Sequence, residues 1–182
     1  LLYYYLVKYR GCSGPCVRNH STTHLLDRVA KDMGQQCYEV PVGFKYISAK
    51  MAETNAVIGG ESSGGLAVRG HIAGKDGIYA AALLVEMLAI NGKSVSKLDQ
   101  EITDKYGMLY YEDAAFTMTQ ARKAELQEKL FVKLEVPDFG NAVEKINRTD
   151  GCKVYFTDGS WVICRFSGTE PLLRMAAEAD EQ

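Results

Sequence analysis

Three short apolar segments in the first third of the chain alternate with helical segments. The apolar segments are residues 16–18, Cys37–Val40 and 56–60, and the last is bounded by glycines. Between them, residues 25–33 place apolar side chains three or four positions apart, which predicts a helix with Ser21 and Thr22 as plausible N-caps. Phe44–Thr54 is also predicted to be a helix. Strands that alternate with helices predict an α/β layer structure. In such folds, ligands bind at the loops that leave the carboxyl ends of the strands.

A glycine-rich loop follows the third predicted strand. Residues 59–65 read Gly-Gly-Glu-Ser-Ser-Gly-Gly, so Glu61 and two hydroxyls lie on a backbone of unusual freedom. A carboxylate can accept two sugar hydroxyls and a serine can donate or accept, so the loop suits a polyol. A flexible glycine turn with a solvated glutamate explains the same residues equally well. Four further polar side chains follow and could close over an anion, namely Arg69, His71, Lys75 and Asp76. Each of them is also typical of a solvated surface.

The pattern changes after Gly107. A strand is predicted next, then a charged helix capped by Thr119. A hairpin is predicted around Asp158-Gly159, because Asp-Gly favours the positive dihedrals of a two-residue turn. A third strand is predicted over residues 172–178. This half is predicted to be a small α+β unit. The predicted domains are residues 1–107 and 108–182.

The segment after the hairpin is the best candidate for binding an anion. Residues 165–171 read Arg-Phe-Ser-Gly-Thr-Glu-Pro, and Arg174 follows. A guanidinium matches phosphate oxygens, while hydroxyls and glycine-relaxed backbone N–H groups add donors. Local composition alone favours an ordinary turn, since Ser, Gly, Thr and Pro are the usual turn residues. Such a loop performs no bond chemistry by itself.

Composition excludes some classes of function. The net charge of −2 argues against a nucleic-acid surface or a membrane-binding patch. No apolar run approaches the roughly 20 residues of a membrane-spanning helix. Five scattered cysteines fit a reducing compartment, and we expect the cytoplasm. The chain begins without Met and stops just after a predicted strand, so we expect it to be a piece of a longer protein.

Two separated loops together match a known pattern. The loop at 59–65, the sequence Lys-Asp-Gly-Ile at 75–78 and the loop at 165–171 resemble the α-D-phosphohexomutase superfamily, as does a glycine-aromatic-lysine element within residues 42–47. Phosphoglucomutase and phosphomannomutase are its familiar members. The resemblance implies a four-domain enzyme of which this chain is the second half. Residues 1–107 resemble the third domain, a three-layer α/β fold with a mixed sheet. The rest resembles the fourth, a small α+β fold like that of the TATA-binding protein, without its final helix.

The resemblance also assigns site residues. It implies that Glu61 and Ser63 select the sugar hydroxyls and that Lys45 lies near the substrate, with Arg18 as a weaker match to a basic position. The residues that it implies for phosphate binding are Arg165, Ser167, Gly168 and Thr169. The family's phosphoserine loop and metal loop are absent from the sequence, so we expect no catalytic residue and no metal ligand here. Mg²⁺ and hexose 1,6-bisphosphate are expected in the full-length enzyme, and neither in this chain.

The leading hypothesis is therefore the substrate-binding C-terminal part of a mutase. Such an enzyme interconverts hexose 1-phosphate and hexose 6-phosphate through a phosphoserine and a bisphosphorylated intermediate. The expected partners are hexose phosphate and the preceding domains, without nucleic acid or membrane, and the isolated chain is expected to be inactive. A stand-alone, non-catalytic sugar-phosphate binding or regulatory module is an alternative, and so is a structural domain whose loops are only turns. The sequence does not decide which hexose is preferred.

Overall fold

The computed structural model describes residues 1–167 and 170–180. Two of the predicted phosphate-binding residues, Gly168 and Thr169, lie outside the described residues. The chain divides into two compact units, Leu1–Met108 and Leu109–Gln182, and each is considered by itself.

The first unit is built on a four-stranded mixed sheet. Its strands are β1 (Cys16–Asn19), β2 (Cys37–Val40), β3 (Ile58–Gly60) and β4 (Leu66–Val68). Its helices are α1 (Leu2–Lys8), α2 (Leu25–Asp32), α3 (Phe44–Thr54), α4 (Gly77–Asn91) and α5 (Val95–Tyr106). The strand order is β2-β1-β3-β4, with β1 parallel to β2 and β3, and β4 antiparallel to β3. The mixed sheet is confirmed, although the sequence pattern did not predict β4.

Helices cover both faces of this sheet. On one face, α1, α2, α4 and α5 share an apolar core that includes Tyr5, Val29, Leu83 and Leu98. On the other face, Ile47 of α3 packs with apolar side chains of the strands, among them Val17 of β1. The parallel strands are therefore buried from both sides, as their apolar sequences require. The predicted three-layer α/β architecture is confirmed.

The predicted capping of α2 is wrong. Ser21 and Thr22 were expected to begin this helix, but it begins at Leu25. The Thr22 hydroxyl instead donates to Asn19 Oδ1 at 2.8 Å, and the Ser21 N–H donates to the same atom at 3.0 Å. Because Asn19 ends β1 with a side-chain acceptor, it draws these groups into a turn before the helix can start.

Gly59 is the point at which α3 approaches β3 most closely. A Cβ atom at Gly59 would lie 2.4 Å from Cγ2 of Ile47 and 2.6 Å from Sδ of Met51. At the neighbouring Gly60, the nearest atom to such a Cβ would be 3.6 Å away, which is ordinary contact. Neither glycine has a positive φ, so the two positions differ mainly in the room available for a side chain.

We expect Gly59→Ala to destabilise the first unit by about 1–3 kcal/mol, because Ile47 and Met51 must move to admit the methyl group. Gly60→Ala is the matched control and should change the free energy of unfolding much less. Urea unfolding of the two variants measures the difference. Equal unfolding midpoints would contradict the close packing of α3 on β3.

In its described residues, the second unit is a five-stranded antiparallel sheet with one α-helix. Its elements are β5 (Tyr110–Thr117), α6 (Gln120–Gln127), β6 (Val143–Asn147), β7 (Cys152–Phe156), β8 (Trp161–Phe166) and β9 (Leu172–Ala179). A π-helical segment, Glu128–Val132, continues α6. The strand order is β5-β9-β8-β7-β6. An antiparallel sheet with a helix agrees with the predicted α+β class, and β6 was not predicted.

The predicted hairpin is present with a longer turn. Phe156 donates its N–H to the Ser160 carbonyl at 2.9 Å, which leaves three residues in the loop. Gly159 has a φ of +90°, and its N–H donates to the Phe156 carbonyl at 3.0 Å. Asp158 does not have a positive φ. The turn therefore has one left-handed glycine at its end, a common three-residue hairpin, rather than the two-residue turn that Asp-Gly predicts.

The helix of the second unit covers β7 and β8. Leu130, in the π-helical continuation of α6, packs with Cys152, Val154 and Phe156 of β7. Cys152 lies directly opposite Cys164 of β8, and all five cysteines of the chain are free thiols. In the part of the chain that the structure describes, no individual helix is both long and apolar enough to cross a bilayer. Only α4 and α5, joined across a 79° bend, reach that length and composition together.

Candidate functional site

The chain reverses direction across the first sheet between β1 and β3. The connection through α2 leads from β1 to β2 on one side, and the connection through α3 leads back past β1 to β3 on the other. Because α2 and α3 cover opposite faces, a crevice opens at the carboxyl ends of β1 and β3. Asn19 ends β1, Glu61 follows β3, and the Asn19 side-chain amide donates to Glu61 Oε1 at 3.5 Å. The predicted sugar-binding glutamate thus lies where ligands bind in open α/β sheets.

The Glu61 carboxylate is held from two sides. Its second oxygen, Oε2, lies 3.2 Å from the Lys75 ammonium, and its side chain is only 9% exposed. The loop around it closes through the Glu61 N–H, which donates to the Gly65 carbonyl at 2.9 Å. A carboxylate has about four lone-pair positions, so it can accept sugar hydroxyls while these contacts remain. The geometry orients Glu61 before any ligand arrives.

Lys75 reaches Glu61 across Gly65. A Cβ atom at Gly65 would lie 2.3 Å from Cδ of Lys75, so a side chain there would displace the lysine. The Lys75 ammonium also lies 5.4 Å from the centre of the Phe44 ring. In the sequence, Lys75 is one of four candidate charges and the first residue of the Lys-Asp-Gly-Ile segment, and neither pattern predicts its contact with Glu61. Gly65 was the one sequence signal of a close contact at this point, and only the fold shows that the contact is with Lys75.

The other three polar side chains of that group support the loop and helix. His71 Nε2 lies 2.8 Å from Asp76 Oδ2, and the His71 ring stacks on Tyr79 at 4.0 Å. Asp76 also caps α4, and the pKa of its carboxyl is lowered first by the His71 hydrogen bond and then by backbone N–H donors such as that of Tyr79. Arg69 donates to two backbone carbonyls, at 2.7 and 3.0 Å. Of the four, only Lys75 contacts Glu61.

Lys45 and Ser63 lie on the same edge of the sheet. Lys45 is exposed in the first turn of α3, which follows the carboxyl end of β2, and its ammonium lies 4.8 Å from the Tyr46 ring centre. Ser63 is exposed in the loop that joins β3 to β4. Both positions suit contact with a ligand above Glu61, and their roles remain predictions.

Arg18 is placed differently from the other predicted sugar-binding residues. It is 2% exposed, its Nε lies 2.6 Å from Asp27 Oδ2, and its Nη1 donates to Glu39. Burial alone would lower the pKa of Arg18, but hydrogen bonds to Asp27 and the charges of Asp27 and Glu39 raise it above its ordinary value. This geometry favours a role in joining β1, β2 and α2 over direct contact with a sugar. Sequence could not show this, because Asp27 and Glu39 come from separate elements.

Arg165 lies at the end of β8 with one carboxylate beside it. Its Nε is 3.0 Å from Asp150 Oδ2, yet no acceptor in residues 1–167 and 170–180 is aligned with that N–H. A Cβ atom at Gly151 would lie 2.4 Å from Cγ of Arg165, so glycine lets the arginine stem pack close to the preceding turn. The side chain is 23% exposed. Asp150 and Gly151 thus fix Arg165, and no sequence pattern predicts either contact.

A second arginine faces Arg165 across the sheet. Arg165 of β8 and Arg174 of β9 are direct register partners in an antiparallel pair. Arg174 Nη2 lies 3.8 Å from Glu170 Oε2. Like charges placed directly opposite each other destabilise a sheet unless anions compensate them. The arrangement is therefore suited to binding an anion between strands.

Ser167 closes the loop between these strands. Its N–H donates to the Leu172 carbonyl at 2.9 Å, and its hydroxyl accepts the Glu170 N–H at 3.2 Å. The Leu172 N–H donates to the Glu170 carbonyl at 2.8 Å. Ser167 and Arg165 are thus brought together at one end of the sheet.

Possible metal ligands are not clustered in the described ranges. Within residues 1–167 and 170–180, no group of three or more His, Cys, Asp or Glu side chains is arranged to hold a metal ion.

Family models match both units. The model described as "Phosphoglucomutase/phosphomannomutase, alpha/beta/alpha domain III" matches residues 1–106. The model described as "Phosphoglucomutase/phosphomannomutase, C-terminal domain" matches residues 117–182.

Relatives agree with these models. A phosphoglucomutase/phosphomannomutase of Thermococcus kodakarensis is 32% identical, over 93% of this chain and 35% of its own length. A probable phosphoglucosamine mutase of Methanosarcina acetivorans is 35% identical, over 82% of this chain and 31% of its own length. Phosphoglucomutase-1 of Bos taurus is 30% identical, over 84% of this chain and 31% of its own length.

Solved structures extend the similarity to the fold. A putative phosphomannomutase from Thermus thermophilus has a TM-score of 0.73 at 28% identity, covering 100% of this chain and 36% of its own. The open form of a Paramecium phosphoglucomutase, pp63/parafusin, has a TM-score of 0.73 at 25% identity, covering 92% of this chain and 34% of its own. The chain spans about a third of the length of these relatives. It belongs to the phosphoglucomutase/phosphomannomutase family and corresponds to that family's domain III and C-terminal domain.

Proposed function

We propose that this chain is the substrate-binding part of a phosphohexomutase, which interconverts hexose 1-phosphate and hexose 6-phosphate. The observation that carries this proposal is the pair of arginines, Arg165 and Arg174, that face each other beside Ser167. A phosphate dianion between them would give both guanidiniums a shared partner, with several charge-assisted hydrogen bonds. Gly168 and Thr169, in the same loop, are proposed as further phosphate donors through their backbone and hydroxyl groups.

The glutamate loop is proposed to recognise the sugar. Glu61 accepts hydroxyls of the hexose, Ser63 adds a hydroxyl, and Lys45 supplies a charge at the same edge. A mutase passes through a bisphosphorylated intermediate that must reverse its orientation in the site between two half-reactions. The sugar must therefore be recognised in either orientation. A carboxylate suits this task, since it accepts from any pair of neighbouring hydroxyls.

The phosphoryl-transferring group is proposed to lie in the preceding domains. The phosphoserine, Mg²⁺ and hexose 1,6-bisphosphate belong there, where Mg²⁺ would stabilise charge on the transferred phosphoryl group. This chain contributes binding, orientation and the exclusion of water, which are substantial parts of catalysis. Its partners are hexose phosphate and those domains of the same protein. We propose a cytoplasmic location, supported by the five free thiols.

A coupled mutase assay on the parent protein, in which this chain follows the preceding domains, tests the proposal. We expect conversion of glucose, mannose or glucosamine 1-phosphate to the 6-phosphate, because one loop is proposed to bind the sugar hydroxyls and the other the phosphate. The assay should be run on each sugar in turn, with hexose 1,6-bisphosphate and Mg²⁺ present. Binding of these substrates without turnover would contradict the proposal and support the non-catalytic binding module instead.

A further inference from the structure

Helix α6 brings one more cation to the loop that follows β8. The Lys123 ammonium donates to the Ser167 carbonyl at 3.2 Å and lies 6.0 Å from the centre of the Phe166 ring. The residue before the helical cap, Met118, donates its N–H to the Pro171 carbonyl at 2.9 Å. The start of α6 is thus joined to the exit of the loop, while Lys123 reaches its entrance.

Lys123 determines the net charge of the side chains around the loop. Arg165 is paired with Asp150, and Arg174 with Glu170, so these four side chains together are neutral. Within residues 1–167 and 170–180, Lys123 contacts a carbonyl oxygen and an aromatic ring. Lys123 therefore makes the group net positive, which favours a phosphate over an uncharged ligand. An ammonium has three donors, and the Ser167 carbonyl takes one of them.

We propose that Lys123 is a further phosphate-binding residue. Its ammonium keeps the hydrogen bond to the Ser167 carbonyl and donates to the phosphate monoester that Arg165 and Arg174 bind. This inference rests on the proposed function and names one more ligand of the same phosphate.

A purely structural role for Lys123 can be separated from this one. If Lys123 only holds the Ser167 carbonyl, Lys123→Gln can replace that bond with an amide N–H, and phosphate affinity should barely change. If Lys123 binds phosphate, Lys123→Gln removes the charge while Lys123→Arg keeps it. Arg122→Gln is the matched control, because Arg122 lies on the same turn of α6 and pairs with Glu125 at 2.6 Å.

The test is an NMR titration of the 182-residue chain and its variants with inorganic phosphate and with glucose 1-phosphate at low ionic strength. For Lys123→Gln, we expect both affinities to fall about tenfold, the typical effect of losing one charge-assisted hydrogen bond. For Lys123→Arg, which keeps the charge, and for Arg122→Gln, which changes an exposed ion pair, we expect affinities within about twofold of wild type. Thermal unfolding of each variant verifies that the fold is retained.

The outcomes separate this inference from the function on which it rests. If Lys123→Gln binds as wild type while Arg165→Gln binds more weakly, the loop binds phosphate without Lys123 and the inference is overturned. If Arg165→Gln also binds as wild type, the phosphate assignment of the loop fails, and the Lys123 inference fails with it. If Arg122→Gln lowers phosphate affinity as much as Lys123→Gln does, the effect comes from the overall positive charge of α6 and not from a contact of Lys123. That result would also overturn the inference.

Discussion

In the parent protein, Arg165→Ala is expected to lower kcat/KM for hexose 1-phosphate by about 100- to 1,000-fold, or roughly 3–4 kcal/mol. Two effects add. The substitution removes a forked donor that can bind two phosphate oxygens. It also leaves Asp150, now 3.0 Å from Arg165 Nε, as a negative charge facing the incoming phosphate. Steady-state kinetics of the variant measure the loss.

Arg165→Lys and Arg165→Ala with Asp150→Asn sharpen this measurement. Lysine keeps the charge without the planar fork, so we expect activity between wild type and Arg165→Ala. Neutralising Asp150 in the alanine variant should recover part of the loss, because the repulsion is removed. If Arg165→Ala retains its fold and wild-type affinity for hexose phosphate, the assignment of Arg165 to the phosphate is wrong.

Glu61→Gln is expected to lower kcat/KM in the parent protein by about 30- to 100-fold, since a charged hydrogen-bond acceptor contributes about 2–3 kcal/mol. Glutamine keeps the shape but has one acceptor oxygen, and its amide group would face the Lys75 ammonium or the Asn19 amide. The sugar therefore loses an acceptor, and Lys75 loses its ion-pair partner.

Ser62→Ala is the matched control for Glu61→Gln, and Ser63→Ala tests the second predicted sugar-binding residue of the loop. Both serines are exposed in the same loop, but only Ser63 is assigned to the sugar. We expect kcat/KM to fall in Ser63→Ala and to stay near wild type in Ser62→Ala, when each is assayed with glucose and mannose 1-phosphate. A wild-type kcat/KM for Glu61→Gln would remove this loop from sugar recognition.

Local sequence patterns predicted the elements whose limits are set locally. The bounds of β2 and α3 agree with the prediction, and Thr119 caps α6 as expected. The strands β4 and β6 were not predicted. Leu66–Val68 is only three residues long, and Val143–Asn147 carries two charged side chains. Each is defined by hydrogen bonds to a neighbouring strand, which no local pattern records.

The candidate site shows the same division. Glu61, Arg165 and Ser167 could be singled out because their residue types and glycine neighbours are unusual in combination. Lys75, Asp150 and Lys123 act on those residues from other elements, so their importance depends on tertiary distances. Arg18 illustrates the reverse case, in which a promising cation is directed inward by two carboxylates.

A coupled mutase assay on the pure chain tests the central claim most directly, namely that residues 1–182 hold the substrate but not the group that transfers the phosphoryl. With hexose 1,6-bisphosphate and Mg²⁺ present, we predict no formation of hexose 6-phosphate above the enzyme-free rate. The parent protein in the same assay is the positive control. Sustained turnover by the pure chain, removed by Arg165→Ala, would contradict the claim, because the transferring group would then have to lie within these residues.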